Sequence, residues 1–467
     1  MKNTLILISL ILLPLITAAQ HLKVSSDNRY LETSVGRPFF WLGDTAWELF
    51  HKLNREDAAF YLKNRADKGF TVIQAVILAE LDGLKTPNAY GEVPLIDLNP
   101  ERPNEKYFEH VDFIVNEAAR LGLTIGMLPT WGDKVTPAHG GGPVIFNREN
   151  ARSFGEFLGR RYRDKPIVWI LGGDRDVAND EEKLVWRAMA EGLKKGDEGR
   201  HLISYHPRGY NSSHEKLHHE SWLDFNMYQS GHSVRYNNVF RFAEVLRGVM
   251  PRKPFVEAEP AYEDIPLVFW EFVNWNDPMR VPASVLHPDH TIARREHFAK
   301  GFFTGHDVRV HAYWNILAGA CGYTYGNNAV WQMFEKGGSF AIPCLTDWRE
   351  ALDRPGAESM THLRAFFETY PFHLLEPAQD RIINNVLKDS LHIRAAHGKG
   401  PVLLVYAASG QELILDLTGM DKRISAKWFD PRSGKYSKAG KFRNSGIHRF
   451  TPPSSGTGND WMLILGK

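Results

Sequence analysis

The chain has 467 residues, 43% of them hydrophobic, which is too long for one ordinary domain at roughly 100–200 residues each and apolar enough to build real cores. Lys and Arg number 56 against 55 Asp and Glu, so neither the basic excess of a nucleic-acid binder nor the acidity of a disordered tail is present. Two cysteines, Cys321 and Cys344, exclude a disulfide framework and a Cys-rich zinc site, while 12% aromatics with 13 Trp point to rings beyond the needs of packing.

Met1–Thr4 gives a short basic start, Leu5 to Ile16 is a largely apolar run, and Thr17, Ala18 and Ala19 are small. This is the pattern of a signal peptide over residues 1–19, with the mature chain starting near Gln20. An uncleaved anchor is the competing reading, but the run is short for a span of about 20 residues and no later stretch is long enough. A lipoprotein would need a Cys at the cut, and none is there. The expected location is therefore secreted or periplasmic, without membrane insertion.

After a hairpin-like start (21–38), short apolar runs alternate with longer amphipathic ones, the pattern of repeated βα units. Runs at 39–42, 72–78, 123–128 and 167–171 are near-continuously apolar, as strands buried on both faces require. Segments 202–205, 225–228, 255–258 and 310–314 complete eight. Between them, helices are predicted from Asn54 to Lys68, Tyr107 to Leu121, Asn147 to Arg163 and Glu181 to Lys195, with Asn or Asp at their starts and Gly at several ends. The fold class is therefore α/β, a (β/α)8 barrel over residues 20–370. A doubly wound open sheet is the alternative, and the dinucleotide signature G-x-G-x-x-G is missing. From about Pro371 short strands at 402–406, 412–417, 426–429 and 461–465 are separated by turn signals, predicting a β-sandwich over 371–467.

In such a barrel the active site lies beyond the C-terminal strand ends. Those positions carry Asp44 and Trp47, Glu80, Trp131, Asp174, His206 and Arg208, Gln229 and His232, Glu259 with Tyr262 and Glu263, and Tyr325. Carboxylates and aromatics on one rim suit a polyol ring, whose CH faces stack on Trp or Tyr while its hydroxyls bond to acids and amides. Asp44, Trp47, Trp131, His206, Gln229, His232, Tyr262 and Tyr325 are the expected substrate contacts. An acid after strand four and one after strand seven face each other across the mouth, as in a retaining glycosidase, where the pair stands about 5–5.5 Å apart. Asp174 is read as acid/base and Glu259 as nucleophile, with Glu263 or Glu257 as replacements for Glu259. The structural alternatives are a helix cap or a bridge to Arg175 for Asp174, and an ion pair with Arg208 for Glu259.

The segments 38–47, 167–174, 205–207 and 259–263 resemble the apiosidase-like proteins of glycoside hydrolase family 140. The tail from about Pro371 resembles the small domain that accompanies them, sometimes labelled collagen-binding. The resemblance spans nearly the whole mature chain and implies a retaining exo-enzyme, without cofactor, that releases apiose from side chains of the pectin rhamnogalacturonan II. In that family the acid after strand four is Asp, where the wider clan carries Asn-Glu; here it is Gly173-Asp174. The alternatives are the same chemistry on an arabinofuranoside, mannoside or glucan, or a silent glycan-binding protein.

Other signals read as structural. The loop at His139–Gly142 lacks a G-x-S-x-G partner. His214, His218 and His219 are expected on a solvated polar face, with no metal assigned. Trp428 and Trp461 are expected in the sandwich core, and Cys321 and Cys344 as two free buried thiols.

Overall fold

The computed structural model describes residues 21–137, 141–236, 239–271, 295–387 and 389–466. The predicted signal segment, residues 1–19, and His139 of the glycine-rich loop lie outside these. Among the described residues no helix is long and apolar enough to cross a membrane.

A small antiparallel sheet (Leu22–Val24, Leu31–Thr33, Pro38–Phe39) leads into the barrel. The barrel strands are β1 (Trp41–Thr45), β2 (Val72–Leu78), β3 (Thr124–Thr130), β4 (Ile167–Gly172), β5 (Ile203–His206), β6 (Asn226–Gln229), β7 (Phe255–Glu257) and β8 (Gly322–Tyr325). They run parallel in the order β5-β4-β3-β2-β1-β8-β7-β6. Between β6 and β5 the ladder gives way to single bonds: Asp224 N donates to the Ile203 carbonyl at 2.9 Å and Ser204 Oγ to that of Phe225 at 2.7 Å. The short strand Asn211–Ser212 pairs antiparallel with β6 beside that seam. All seven residues of β2 and of β3 are buried, because helices cover one face and the barrel interior the other.

The main helices are α1 (Arg55–Asp67), α2 (Glu105–Arg120), α3 (Arg148–Tyr162), α4 (Asp180–Gly196), α5 (Phe240–Gly248), α6 (Gly305–Leu317) and α7 (Pro355–Thr369). Their starts follow from local chemistry. Asn54 Oδ1 accepts from Asp57 N at 2.8 Å, Asn179 Oδ1 from Glu182 N at 2.9 Å, and Asn147 with Asn150 forms a reciprocal cap.

One strand is misplaced in the sequence reading. Segment 310–314 belongs to helix α6, and the eighth strand is Gly322–Tyr325. Every residue of α6 is buried, since the helix lies between the barrel and the C-terminal domain. A helix without a polar face has no 3.6-residue contrast, so a short apolar run in it cannot be told from a buried strand. His218 is also not solvated: it is buried, with Nε2 2.8 Å from the Pro251 carbonyl oxygen.

The C-terminal unit places six strands in one antiparallel sheet, from Glu376–Pro377 through β9 (Ile393–His397), β10 (Leu403–Ala407), β12 (Arg423–Asp430), β13 (Lys435–Arg443) and β15 (Trp461–Gly466), against a pair formed by β11 (Leu413–Asp416) and β14 (Ile447–Phe450). Leu403, Val405, Trp428 and Leu463 from the large sheet and Leu413, Leu415 and Phe450 from the pair share its core. Trp428 and Trp461 are buried there at 6.3 Å between ring centroids. Cys321 and Cys344 are free and buried.

The strands of the tail carry no cluster of acids or His, which predicts an apolar seam with the barrel. Tyr313 of α6 does stack on Tyr406 at 4.8 Å, and Phe366 of α7 lies 4.6 Å from Phe429. It also holds a buried ion pair, Arg309 to Asp460 at 2.8 Å, with Tyr406 donating to the same carboxylate at 2.9 Å.

Candidate active site

The C-terminal strand ends open into a cavity of about 700 Å³, within the size range of small-molecule sites. Strand β4 delivers its acid through a turn of three successive left-handed residues, Gly172 (φ 81°), Gly173 (φ 111°) and Asp174 (φ 53°). The two glycines are required: a Cβ at Gly172 would stand 2.4 Å from the His206 carbonyl oxygen, and one at Gly173 2.6 Å from the Trp131 ring. Asp tolerates the left-handed region better than most residues, and the turn places Asp174 on the cavity wall.

Glu259, two residues past β7, lines the same cavity. The Nδ1 atom of His206 lies 2.9 Å from the Pro207 carbonyl oxygen, which can only accept, so Nδ1 carries hydrogen and Nε2 is left facing Glu259 Oε2 at 3.0 Å. Tyr262 packs over Gly326, where a Cβ would come within 2.1 Å of its ring, and its hydroxyl accepts from Trp47 Nε1 at 3.0 Å. Burial, and next the charge of Glu259, holds the Tyr262 phenol well above its usual range, so it remains a donor.

Trp47 and Trp131 form the apolar wall at 5.1 Å between centroids, and His206 sits edge-on to Trp47 at 5.4 Å. Gln229 and His232 complete the part of the lining named from sequence. Trp131 Nε1 and Gln229 Oε1 have no hydrogen-bond partner among the described residues. An unpaired buried donor and acceptor in a cavity wall suit the hydroxyls of a ligand.

Three expected contacts stay out of the lining. Asp44 is fully buried beneath the rim, 2.9 Å from Arg65 Nε and accepting from Tyr61 at 2.6 Å, both on α1. Tyr325 pairs with Asp44 in register and donates to Glu263 at 2.6 Å. Both belong to strands, where alternate side chains point to opposite faces, and these two turn toward the helices. His206 also lies below the lining and acts on it through Glu259.

The alternatives to Glu259 are likewise out of the cavity. Glu263 is buried against the start of α7, accepting from Gly356 N at 2.9 Å. Glu257 accepts from Ser230 N at 3.0 Å and, at 3.4 Å, from Asn315 Nδ2 of α6, on the face of β7 turned toward the helices. Burial pushes Glu263 up to about 7 and Glu257 up to about 8.

Other lining residues were not among the expected substrate contacts. Glu80, Arg175 and Arg208 add charge, while Tyr210, Trp270 and Trp331 add rings. Tyr210, Trp270 and Trp331 sit several residues beyond their strands, where position gives no signal. Among the described residues no cluster of His, Cys, Asp and Glu could hold a metal ion.

A family model described as "Apiosidase-like, catalytic domain" matches residues 25–373. One described as "Putative collagen-binding domain of a collagenase" matches residues 377–466. A solved structure named only as a glycoside hydrolase is 32% identical, with 96% of each chain covered and a TM-score of 0.81. A family 5 glycoside hydrolase from Bacteroides vulgatus is also 32% identical, with 95% of this chain and 93% of that one covered and a TM-score of 0.81. No curated protein matches.

Proposed function

The chain belongs to the apiosidase-like family of glycoside hydrolases, and from that premise we propose that it is a retaining exo-glycosidase that releases apiose from rhamnogalacturonan II side chains of plant pectin. The observation that carries the chemistry is one cavity lined by Asp174 after β4 and Glu259 after β7, together with Trp47 and Trp131. The sugar follows from family membership, since one barrel scaffold serves many substrates. The leader-like segment 1–19 supports action outside the cytoplasm.

In the first step a carboxylate oxygen of Glu259 attacks the anomeric carbon while Asp174 gives its proton to the departing glycosidic oxygen. That bond breaks and a glycosyl ester forms on Glu259. The Tyr262 hydroxyl holds Glu259 in line. Asp174, now a carboxylate, then takes a proton from a water that attacks the same carbon, and the ester bond breaks with configuration retained. Trp131 Nε1 and Gln229 Oε1 supply a donor and an acceptor for sugar hydroxyls.

Two measurements test this. On a panel of pectic oligosaccharides, release of apiose alone is expected; release of arabinose, mannose or glucose would move the specificity, and no release by an intact enzyme would favour a binding protein. General-acid help is worth about 10²–10⁴-fold and matters most for poor leaving groups. Asp174→Ala should therefore lose most activity on a natural glycoside yet keep much of the first step on an activated aryl glycoside, with azide intercepting the intermediate. Glu259→Ala should be nearly inactive on both. Equal losses on both substrates without azide rescue would remove these roles.

A further inference from the structure

The hairpin of β12 and β13 concentrates positive charge on one face of the C-terminal unit. Between Met420 and Gly446 stand eight Lys and Arg against two Asp, in a chain whose net charge is only +1. Ile424, Ala426 and Trp428 of β12 belong to the core of the unit, and Phe442 of β13 packs against Phe450 of β14 at 5.5 Å. Alternation along each strand therefore turns Arg423, Lys427, Lys441 and Arg443 to the opposite face. Lys438 joins them, because it stands directly opposite Lys427 in the ladder. All five side chains are exposed.

This face differs from an ordinary polar surface. Arg423 faces Arg443 and Lys427 faces Lys438, and like charges directly opposite each other destabilise a sheet. Among the described residues no carboxylate pairs with any of the five; Asp421 precedes β12, and Asp430 at its end pairs with Arg432 at 2.7 Å. Lysines on an edge strand hinder pairing with another chain, and β13 is such an edge. That accounts for the cations of β13 but not for Arg423 and Lys427, since β12 has β15 on its other side. Phe429 lies on the same face and stands 4.6 Å from Phe366 of α7, so the face meets the barrel there and carries its cations beyond that contact.

The cations line about 14 Å of two adjacent strands, a strip suited to repeated charge on an extended chain. One exposed contact between an ammonium and a carboxylate holds little, so affinity needs several at once, with the carboxylates tied together. We propose that the outer face of β12 and β13 binds a polyuronate, a sugar chain with a carboxylate on every residue, and anchors the enzyme to the acidic backbone of pectin. The choice of this polyanion rests on the reading of pectin as the substrate. The surface is separate from the cavity, which none of the five cations lines.

The test is binding of the full-length protein at low salt to galacturonate oligomers of rising length, to polygalacturonate, to its methyl ester and to single-stranded DNA. Binding to the acid polymer is expected to strengthen with chain length, to weaken as salt screens the charges, and to fall about tenfold or more in K427Q/K438Q/K441Q/R443Q. This variant should hydrolyse a small aryl glycoside like wild type, and its thermal midpoint should not fall, because two like-charge contacts are gone. Wild-type binding by the variant overturns the proposal, as does equal binding of the methyl ester and the acid polymer. DNA bound as tightly as polygalacturonate overturns it too, by marking a surface for any polyanion. The ester and DNA comparisons use only wild type and decide the matter without a folded variant. The proposed activity fails separately: a protein that holds polygalacturonate but releases no apiose loses that activity and keeps this surface, and one that releases apiose but ignores polygalacturonate does the reverse.

Discussion

Glu257, Glu259 and Glu263 lie within seven residues and have three fates. Glu259 reaches the cavity, Glu263 closes on the backbone at the start of α7, and Glu257 turns out toward helix α6, where Ser230 N and, at 3.4 Å, Asn315 Nδ2 donate to it. Burial raises Glu257 from 4.5 to about 8, so the folded state keeps this proton where the unfolded chain has lost it. Its contribution is fully present below about pH 4.5 and declines as the pH rises toward about 8, with a slope of about 1.4 kcal/mol per pH unit. Glu257→Gln carries no such dependence. The stability of wild type minus that of the variant, from denaturant unfolding at several pH values, should fall across this window and level off above it. A difference independent of pH would mean that Glu257 ionises freely in the folded protein.

At the level of elements, the turn after β4 does the most for the site. Gly172 and Gly173 occupy backbone that a Cβ would fill, and Gly132 N donates to the Gly173 carbonyl at 3.1 Å, tying the turn to the loop after β3. Gly173→Ala should push the Trp131 ring and swing Asp174 off its position. A displacement of about 1 Å costs on the order of 10²-fold in rate, so kcat is expected to drop by about that factor while the far-ultraviolet spectrum stays unchanged. Unaltered kcat would show that the turn can relax without moving its acid. The turn was legible in the sequence as Gly-Gly-Asp after an apolar run. Helix α6 was not, because full burial erased the polar face by which a helix is recognised.

Across the whole molecule, the barrel and the C-terminal unit are held by a seam that mixes rings with charge. Burial alone would raise the Asp460 carboxyl, but Arg309 outweighs it and holds the group below its usual range. Removing one partner strands a buried charge, so Asp460→Ala should cost about 3–5 kcal/mol, whereas the double change Arg309→Met, Asp460→Leu should recover much of it. Thermal unfolding of the three proteins checks this. Removal of the chain after Pro371 would expose Tyr313 and Phe366 along with Arg309, and insoluble or unstable protein is expected. A stable truncated barrel would mean that the unit serves recognition instead.

The sequence by itself determined what depends on neighbours along the chain. Short, largely apolar segments specified seven of the barrel strands, Asn and Gly marked the helix ends, and strand order brought Asp174 and a glutamate of strand seven to one rim. The closed barrel settles which glutamate faces the cavity, that Asp44 and Tyr325 turn to the helices while His206 sits below the lining, and that Glu80 joins the same cavity wall. The reason is physical: helix caps and apolar periodicity are fixed over a few residues. The direction of a side chain past a strand end, and the charge that surrounds it, depend on groups from strands far apart in sequence, and these meet only when the barrel closes.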